Sequence, residues 1–229
     1  MKIFENYNIK GENTYKIGGI VKKVAFPETV DELISTACDY DMVLGNCSNV
    51  LFSSDYINKS IIITKNLCKY DINDDEVYVE CGVKGPVISR LAQENGLSGF
   101  EFLIGFPGSF GGMIYMNASA HNQAVSDSFV SARVYDTNTK EVINMTKDDI
   151  CFDYRHSKLY DGAYILLDAR FKLKKSSPET VNELMNRNIE FRKSRQPSLK
   201  YGNAGSVFKN PLNDSAGRLL DLCGLKGEK

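Results

Sequence analysis

The stretch "GFEFLIGFPGSFGGMIYMNASA", residues 99–120, sets five glycines and a proline among aromatic and aliphatic residues. A buried helix would lose about 1 kcal/mol for each interior Gly relative to Ala. A central strand tolerates neither Pro107 nor so many missing side chains. Bare backbone is therefore needed here, for the close approach either of another chain segment or of a flat, phosphate-bearing ligand.

On the N-terminal side, Pro86 to Asn95 reads as a helix started by Pro and stopped by Gly96, and Ile61 to Thr64 and Glu76 to Val83 read as strands. The polar run from Tyr70 to Glu76 between them is expected to be a loop. Further upstream, "KKVAFPETVDELISTACDYDMVLGN" gives a short apolar run, a helix capped by Thr29 with Asp31 and Glu32 in its first turn, and a second apolar run at Met42 to Leu44. That unit is strand, helix, strand. It ends in "GNCSN", and small residues at the carboxyl end of a strand can aim backbone amides at a phosphate. A plain turn accounts for this loop equally well.

On the C-terminal side, "FVSARVYDTNTKEVIN" alternates like a hairpin around Thr137, Asn138 and Thr139, and Tyr164 to Leu173 is one more strand. "SSPETVNELMNRNIEFRKSRQP" is the clearest helix: Ser177 caps it, Val181, Leu184, Met185, Asn188 and Ile189 share a face, and Pro197 stops it. A domain boundary is expected between Lys174 and Ser177. One strand-helix-strand unit ahead of antiparallel hairpins gives a small α/β lobe joined to an α+β lobe, with a ligand between them.

The 229 residues carry 28 Lys and Arg against 29 Asp and Glu, which leaves no basic field for nucleic acid. No apolar run follows the first residues and none is long enough to span a membrane, so neither a membrane nor a nucleic-acid partner is expected and the protein reads as cytoplasmic. Cysteines 38, 47, 68, 81, 151 and 223 form no Cys-x-x-Cys pair and only two histidines accompany them. No metal site and no disulfide framework are expected.

Two polar segments have no role in a fold. In "FDYRHS" (152–157), Arg155 beside Tyr154 is either an exposed turn residue or a planar fork for a carboxylate or phosphate. In "KYGNAGSVFKNP" (200–211), an extended chain would put Ser206, Phe208 and Asn210 on one face, with Val207 and Phe208 buried. Ser206 has no His nearby in sequence, which argues against an acyl-transfer triad and for a hydrogen-bond or proton donor.

Together, "NTYKIGG" (13–19), "LGNCSN" (44–49), residues 99–120, "FDYRHS" and "GNAGSVFKNP" (202–211), in this order and at these separations, resemble the UDP-N-acetylenolpyruvoylglucosamine reductase family over essentially the whole chain. The resemblance implies an α+β fold: a two-lobed FAD-binding domain of the vanillyl-alcohol/p-cresol oxidoreductase (PCMH) type at 1–175 and a partial α+β substrate-binding domain at 176–229. It implies that Gly45, Asn46, Cys47, Ser48 and Asn49 hold the FAD pyrophosphate, and that Gly105, Pro107, Gly108, Ser109, Gly111 and Gly112 give the flavin wall clearance. Lys16, Gly18 and Asn117 complete the cofactor set. The family's reaction takes electrons from NADPH through the flavin to UDP-N-acetylglucosamine enolpyruvate. By motif match Arg155 stabilises developing charge, Ser206 gives the proton, and Tyr154, Lys209 and Asn210 bind substrate. A monomer is expected.

This sequence departs from the family pattern in four places. Cys47 stands where Gly is frequent, "NASAHNQA" (117–124) replaces a more glycine-rich run, Lys16 stands where many relatives have Arg, and "AGRLLDLCGLKGEK" stops ahead of a segment that supplies a catalytic Glu. The last implies a chain that holds flavin with little turnover of its own. Two rival readings stay open: a FAD-dependent oxidase of the wider superfamily, and an inactive flavin-binding remnant.

Overall fold

A computed structural model describes residues 1–196, 198 and 202–228. The chain starts with β1 (Lys2–Asn8), β2 (Ile20–Phe26), helix α1 (Val30–Thr36), β3 (Met42–Leu44) and β4 (Ile57–Ile63). These strands form one sheet in the order β1-β2-β4-β3, antiparallel between β1 and β2 and parallel elsewhere. As the sequence indicates, α1 links two parallel strands, and the Thr29 side chain accepts from the Glu32 amide to start it. The first strand was not foreseen. β1 is an edge strand and mostly exposed, so it carries no apolar run to announce it.

A second, antiparallel sheet follows. β5 (Tyr70–Asn73) and β6 (Glu76–Glu80) lead through α2 (Gly85–Glu94), β7 (Leu97–Ser98), α3 (Phe110–Tyr115), β8 (Ser119–Ala120), β9 (Gln123–Ala124) and α4 (Val125–Ser128). The chain continues into β10 (Phe129–Asp136), β11 (Glu141–Thr146), α5 (Lys147–Ile150), β12 (Tyr164–Lys172) and β13 (Lys174–Lys175). The sheet order is β11-β10-β12-β6-β5. Residues 70–73, expected to be loop, are instead its edge strand, paired from Tyr70 on Val79 to Asn73 on Glu76 around a turn in which Asp74 takes φ +54°. Three of the edge strand's four residues are exposed and only Ile72 is half-buried, so no apolar alternation marks it and its composition reads as loop.

The larger core runs between the two sheets and is centred on Phe100, Phe110, Phe129 and Phe171, which meet edge to face at 5.2–5.7 Å. A smaller cluster of Ile9, Val21, Val24, Phe26, Cys47, Phe52, Ile61 and Ile63 fills the other face of the first sheet.

Helix α6 (Pro178–Arg195) is capped by Ser177, as foreseen, and Pro197, expected to stop it, lies outside the described residues. It packs on α2 and on the turn at 101–105. Gly96, at φ +64°, lets the chain enter this helix: an added Cβ there would stand 2.8 Å from the Ser176 carbonyl oxygen. A short helix α7 (Ala216–Leu222), capped by Ser215, follows with no buried residue. Among the described residues no helix is long and apolar enough to cross a membrane, and no three His, Cys, Asp or Glu are grouped to hold a metal.

Candidate active site

The loop after β3 and the glycine-rich stretch meet. Asn46 donates its side-chain amide to the Pro107 carbonyl at 2.7 Å. The Thr14 hydroxyl donates to the Ser48 carbonyl at 3.2 Å, and a Cβ on Gly108 would stand 3.4 Å from Ser48 Oγ. The glycine-rich wall is held from behind by the end of β6: the Phe110 amide donates to Val83 O at 2.9 Å and the Gly111 amide to Cys81 O at 2.8 Å.

Between loop and wall opens a cleft of about 1750 Å³. That exceeds the roughly 300–1,000 Å³ of a site for one drug-sized molecule and has room for a dinucleotide and a second ligand. It is lined by Gly45 to Asn49, by Gly105, Pro107, Gly108, Ser109, Gly111 and Gly112, by Tyr154 and Arg155, and by Ser206, Lys209 and Asn210. Lys16, Gly18 and Asn117 do not line it. Lys16 has a left-handed φ of +53°, and Gly18 packs under Ile9 and Phe52. Asn117 bridges from the Asp153 carbonyl to the Ser126 amide.

The residues present fit a flavin dinucleotide. At Gly112 an added Cβ would meet nothing within 4 Å, so the wall is open where a side chain would otherwise project. At Gly45 it would stand 2.5 Å from Ser109 Oγ, and that hydroxyl is buried without a partner. An orphaned donor facing a bare loop is what an oxygen-rich ligand would complete. Cys47 takes φ +48°, a conformation that suits Gly better than Cys. Left-handed φ values also fall on Asn117, His121 and Asn122, residue types that tolerate the conformation, within the run that departs from the glycine-rich pattern.

Across the cleft, "FDYRHS" is a tight turn closed by reciprocal backbone bonds between Asp153 and His156, with Tyr154 and Arg155 at its tip and φ +54° at Arg155. Arg155 donates to the Ser119 carbonyl at 3.3 Å. The Tyr154 hydroxyl accepts from the Asn210 amide at 3.3 Å, joining this turn to the later motif. Lys209 Nζ lies 5.9 Å from the Tyr160 ring, which stacks between Tyr115 and His156.

One expectation for this region is corrected. Residues 203–211 form no strand, and Val207 and Phe208 are 77% and 60% exposed. With no ladder partner the alternating-face argument does not apply, and consecutive residues from Asn203 to Asn210 line the cleft together. Unforeseen lining residues come from α6: Asn188, Phe191 and Arg192.

Buried thiols also differ from exposed ones. Burial, then the Glu12 charge, pushes the Cys47 thiol up to about 12, and burial does the same for Cys81; Cys38, Cys68, Cys151 and Cys223 are exposed, although partial burial of its sulfur and the Glu80 charge raise the Cys68 thiol as well. Because the thiolate is the nucleophile, brief iodoacetamide treatment of the native protein near pH 8 should label some or all of the four exposed cysteines and spare Cys47 and Cys81. Peptide mass mapping checks this. Rapid labelling of Cys47 would mean that the 45–49 loop opens in solution.

Residues 21–145 match the family model described as a FAD binding domain, and residues 196–229 match the C-terminal domain of UDP-N-acetylenolpyruvoylglucosamine reductase. The UDP-N-acetylenolpyruvoylglucosamine reductase of Caldicellulosiruptor saccharolyticus is 38% identical over 228 residues, covering 96% of this chain and 73% of that protein. The solved UDP-N-acetylenolpyruvylglucosamine reductase of Thermus caldophilus superposes with a TM-score of 0.84 at 30% identity, over 98% of this chain and 80% of that one. The 6-hydroxy-D-nicotine oxidase of Arthrobacter nicotinovorans is similar at a TM-score of 0.56 and 13% identity, over 76% of this chain and 42% of that one, a likeness of fold alone.

Proposed function

The chain belongs to the UDP-N-acetylenolpyruvoylglucosamine reductase family, and from that premise we propose which of its residues reduce UDP-N-acetylglucosamine enolpyruvate to UDP-N-acetylmuramate for peptidoglycan, with NADPH as reductant and the cytoplasm as its place. The observation that carries the reading is convergence. The 45–49 loop, the 105–112 wall, the Tyr154–Arg155 turn and the 206–210 segment all line one cleft.

FAD, when bound, supplies the electron relay between nicotinamide and substrate. Amides and side chains of Gly45 to Asn49 hold its diphosphate, and the wall from Gly105 to Gly112 gives the ring clearance. Reduction of a vinyl ether beside a carboxylate builds negative charge on the carbon next to that carboxylate. Arg155 faces that charge, and Ser206 Oγ delivers a proton to the carbon. Tyr154, Lys209 and Asn210 grip the sugar nucleotide. The division into a FAD-binding part, 1–175, and a substrate-binding part, 176–229, is supported by β13, which pairs with β7 and ends the first unit at Lys175.

The purified protein should therefore be yellow, or turn yellow with added FAD, at one FAD per chain. Its rate of NADPH oxidation in response to the enolpyruvyl sugar nucleotide then separates an active reductase from the low-turnover flavin holder expected from the sequence. An absorbance spectrum after desalting and a nicotinamide assay with and without substrate are the measurements. A colourless protein that takes up no FAD would sink the reading.

A further inference from the structure

Arg192 has no place in the chemistry above, yet α6 carries it to the cleft. The helix turns Val181, Met185, Asn188 and Ile189 inward, and Arg192 continues that stripe at helical spacing. Its stem lies against Gly105, where an added Cβ would stand 3.1 Å from Arg192 Cδ and 3.8 Å from Nε, so a side chain at 105 would crowd it.

The neighbouring cations are accounted for. Lys193 pairs with Glu190 at 2.8 Å, and Arg195 lies over the Phe191 ring at 5.4 Å. Arg192 pairs with no carboxylate among the described residues. Burial alone pulls its pKa below the usual arginine value. A part-buried guanidinium without a counter-charge is unfavourable, and the helix C-terminus offsets only part of that.

The missing charge must come from the cleft. Gly105 belongs to the wall whose Pro107 carbonyl takes the Asn46 amide and whose Gly108 faces Ser48. We propose that Arg192 is the counter-ion of a diphosphate bound in the cleft beside the wall at Gly105. A planar guanidinium fork matches such oxygens in pairs. The proposal rests on the flavin-binding reading above, and the diphosphate is either that of FAD or that of the UDP-sugar.

The test compares the wild-type protein with Arg192→Met, which keeps most of the stem against Gly105, and with Arg192→Lys. FAD and riboflavin are titrated into the flavin-free proteins, and UDP into the FAD-loaded ones. Arg192→Met should weaken FAD by about 10- to 100-fold, the range for a hydrogen bond to a charged group. Riboflavin, which has no phosphate, should bind unchanged, and Lys should recover part of the loss. If FAD is unaffected and UDP weakens by that factor, the diphosphate is the nucleotide sugar's and the proposal stands. Unchanged FAD and UDP affinities overturn it, as does an equal loss for FAD and riboflavin, which would mean a purely structural role. Should Arg192→Met fail to fold, the same comparison on Arg192→Lys decides. Failure of the wild-type protein itself to bind FAD would remove the underlying reading, a separate and recognisable outcome.

Discussion

In a catalytically complete form of the enzyme, Ser206→Ala is expected to lower turnover of the enolpyruvyl sugar nucleotide by about 10²- to 10⁴-fold, the usual contribution of a positioned proton donor. Binding of FAD and of the substrate should stay near normal. Ser206 is exposed and lines the cleft together with Arg155, so removing one oxygen there opens no core cavity and leaves folding untouched. The change should fall on kcat rather than KM, because a proton needed only at the reacting carbon is an interaction of the transition state. Tyr154 is the competing donor. Its hydroxyl oxygen accepts the Asn210 amide, which leaves its own proton available. Tyr154→Phe should chiefly raise KM, since the ring and the turn remain while one substrate-side contact goes. Steady-state kinetics on both variants separate the roles: a kcat collapse in Tyr154→Phe with a mild Ser206→Ala would transfer the proton to the tyrosine.

Arg155 illustrates what could be read in advance and what could not. Its motif pointed to either a surface turn or an anion fork, and it sits at a turn tip that also lines the cleft. The glycine-rich wall and the 45–49 loop were legible because bare backbone in apolar surroundings has few physical explanations. Helices α1 and α6 were legible from their caps and stripes, and α2 from Pro86 at its start and Gly96 after its end. Edge strands β1 and β5 were not, since strands exposed at almost every residue lack the alternation that a buried face imposes. The exposure of Val207 and Phe208 was also hidden, because composition marks a residue as apolar without supplying the partner that would bury it. Arg192 did leave a signal: an arginine in phase with Val181, Met185 and Asn188 on the inward stripe of a helix. It went unused because a basic residue in a last helical turn already has an ordinary explanation in the helix dipole.

A large structural effect is expected from a single methyl group at Gly82. A Cβ there would lie 2.2 Å from the Thr64 carbonyl oxygen and 2.6 Å from that of Leu67, and both obstacles are backbone. Neither can swing aside as a side chain could. Thr64 follows β4 and donates its amide to Leu44 O at 2.9 Å, one residue ahead of the 45–49 loop, and the Gly82 amide itself donates to Leu67 O at 2.9 Å. On the other side of Gly82, Cys81 and Val83 hold Gly111 and Phe110 of the wall. Gly82 is thus the contact at which the first sheet, carrying the loop, is pressed against the second, carrying the wall. Gly82→Ala should cost on the order of 3–5 kcal/mol, beyond ordinary overpacking because backbone must move. That corresponds to a fall in Tm of roughly 10 °C for a chain of this size. The strain should relax by parting loop from wall, so FAD affinity should fall even at temperatures where the variant is folded. Gly217→Ala is the control: it lies in α7 with nothing within 4 Å of the added Cβ, and it should be neutral or slightly stabilising, as Gly to Ala is in a helix. Thermal melts with and without FAD measure both effects. If Gly82→Ala melted with the wild type and bound FAD as tightly, the two sheets would not be in register through Thr64, Leu67 and Gly82, and the cleft would have to be held together elsewhere.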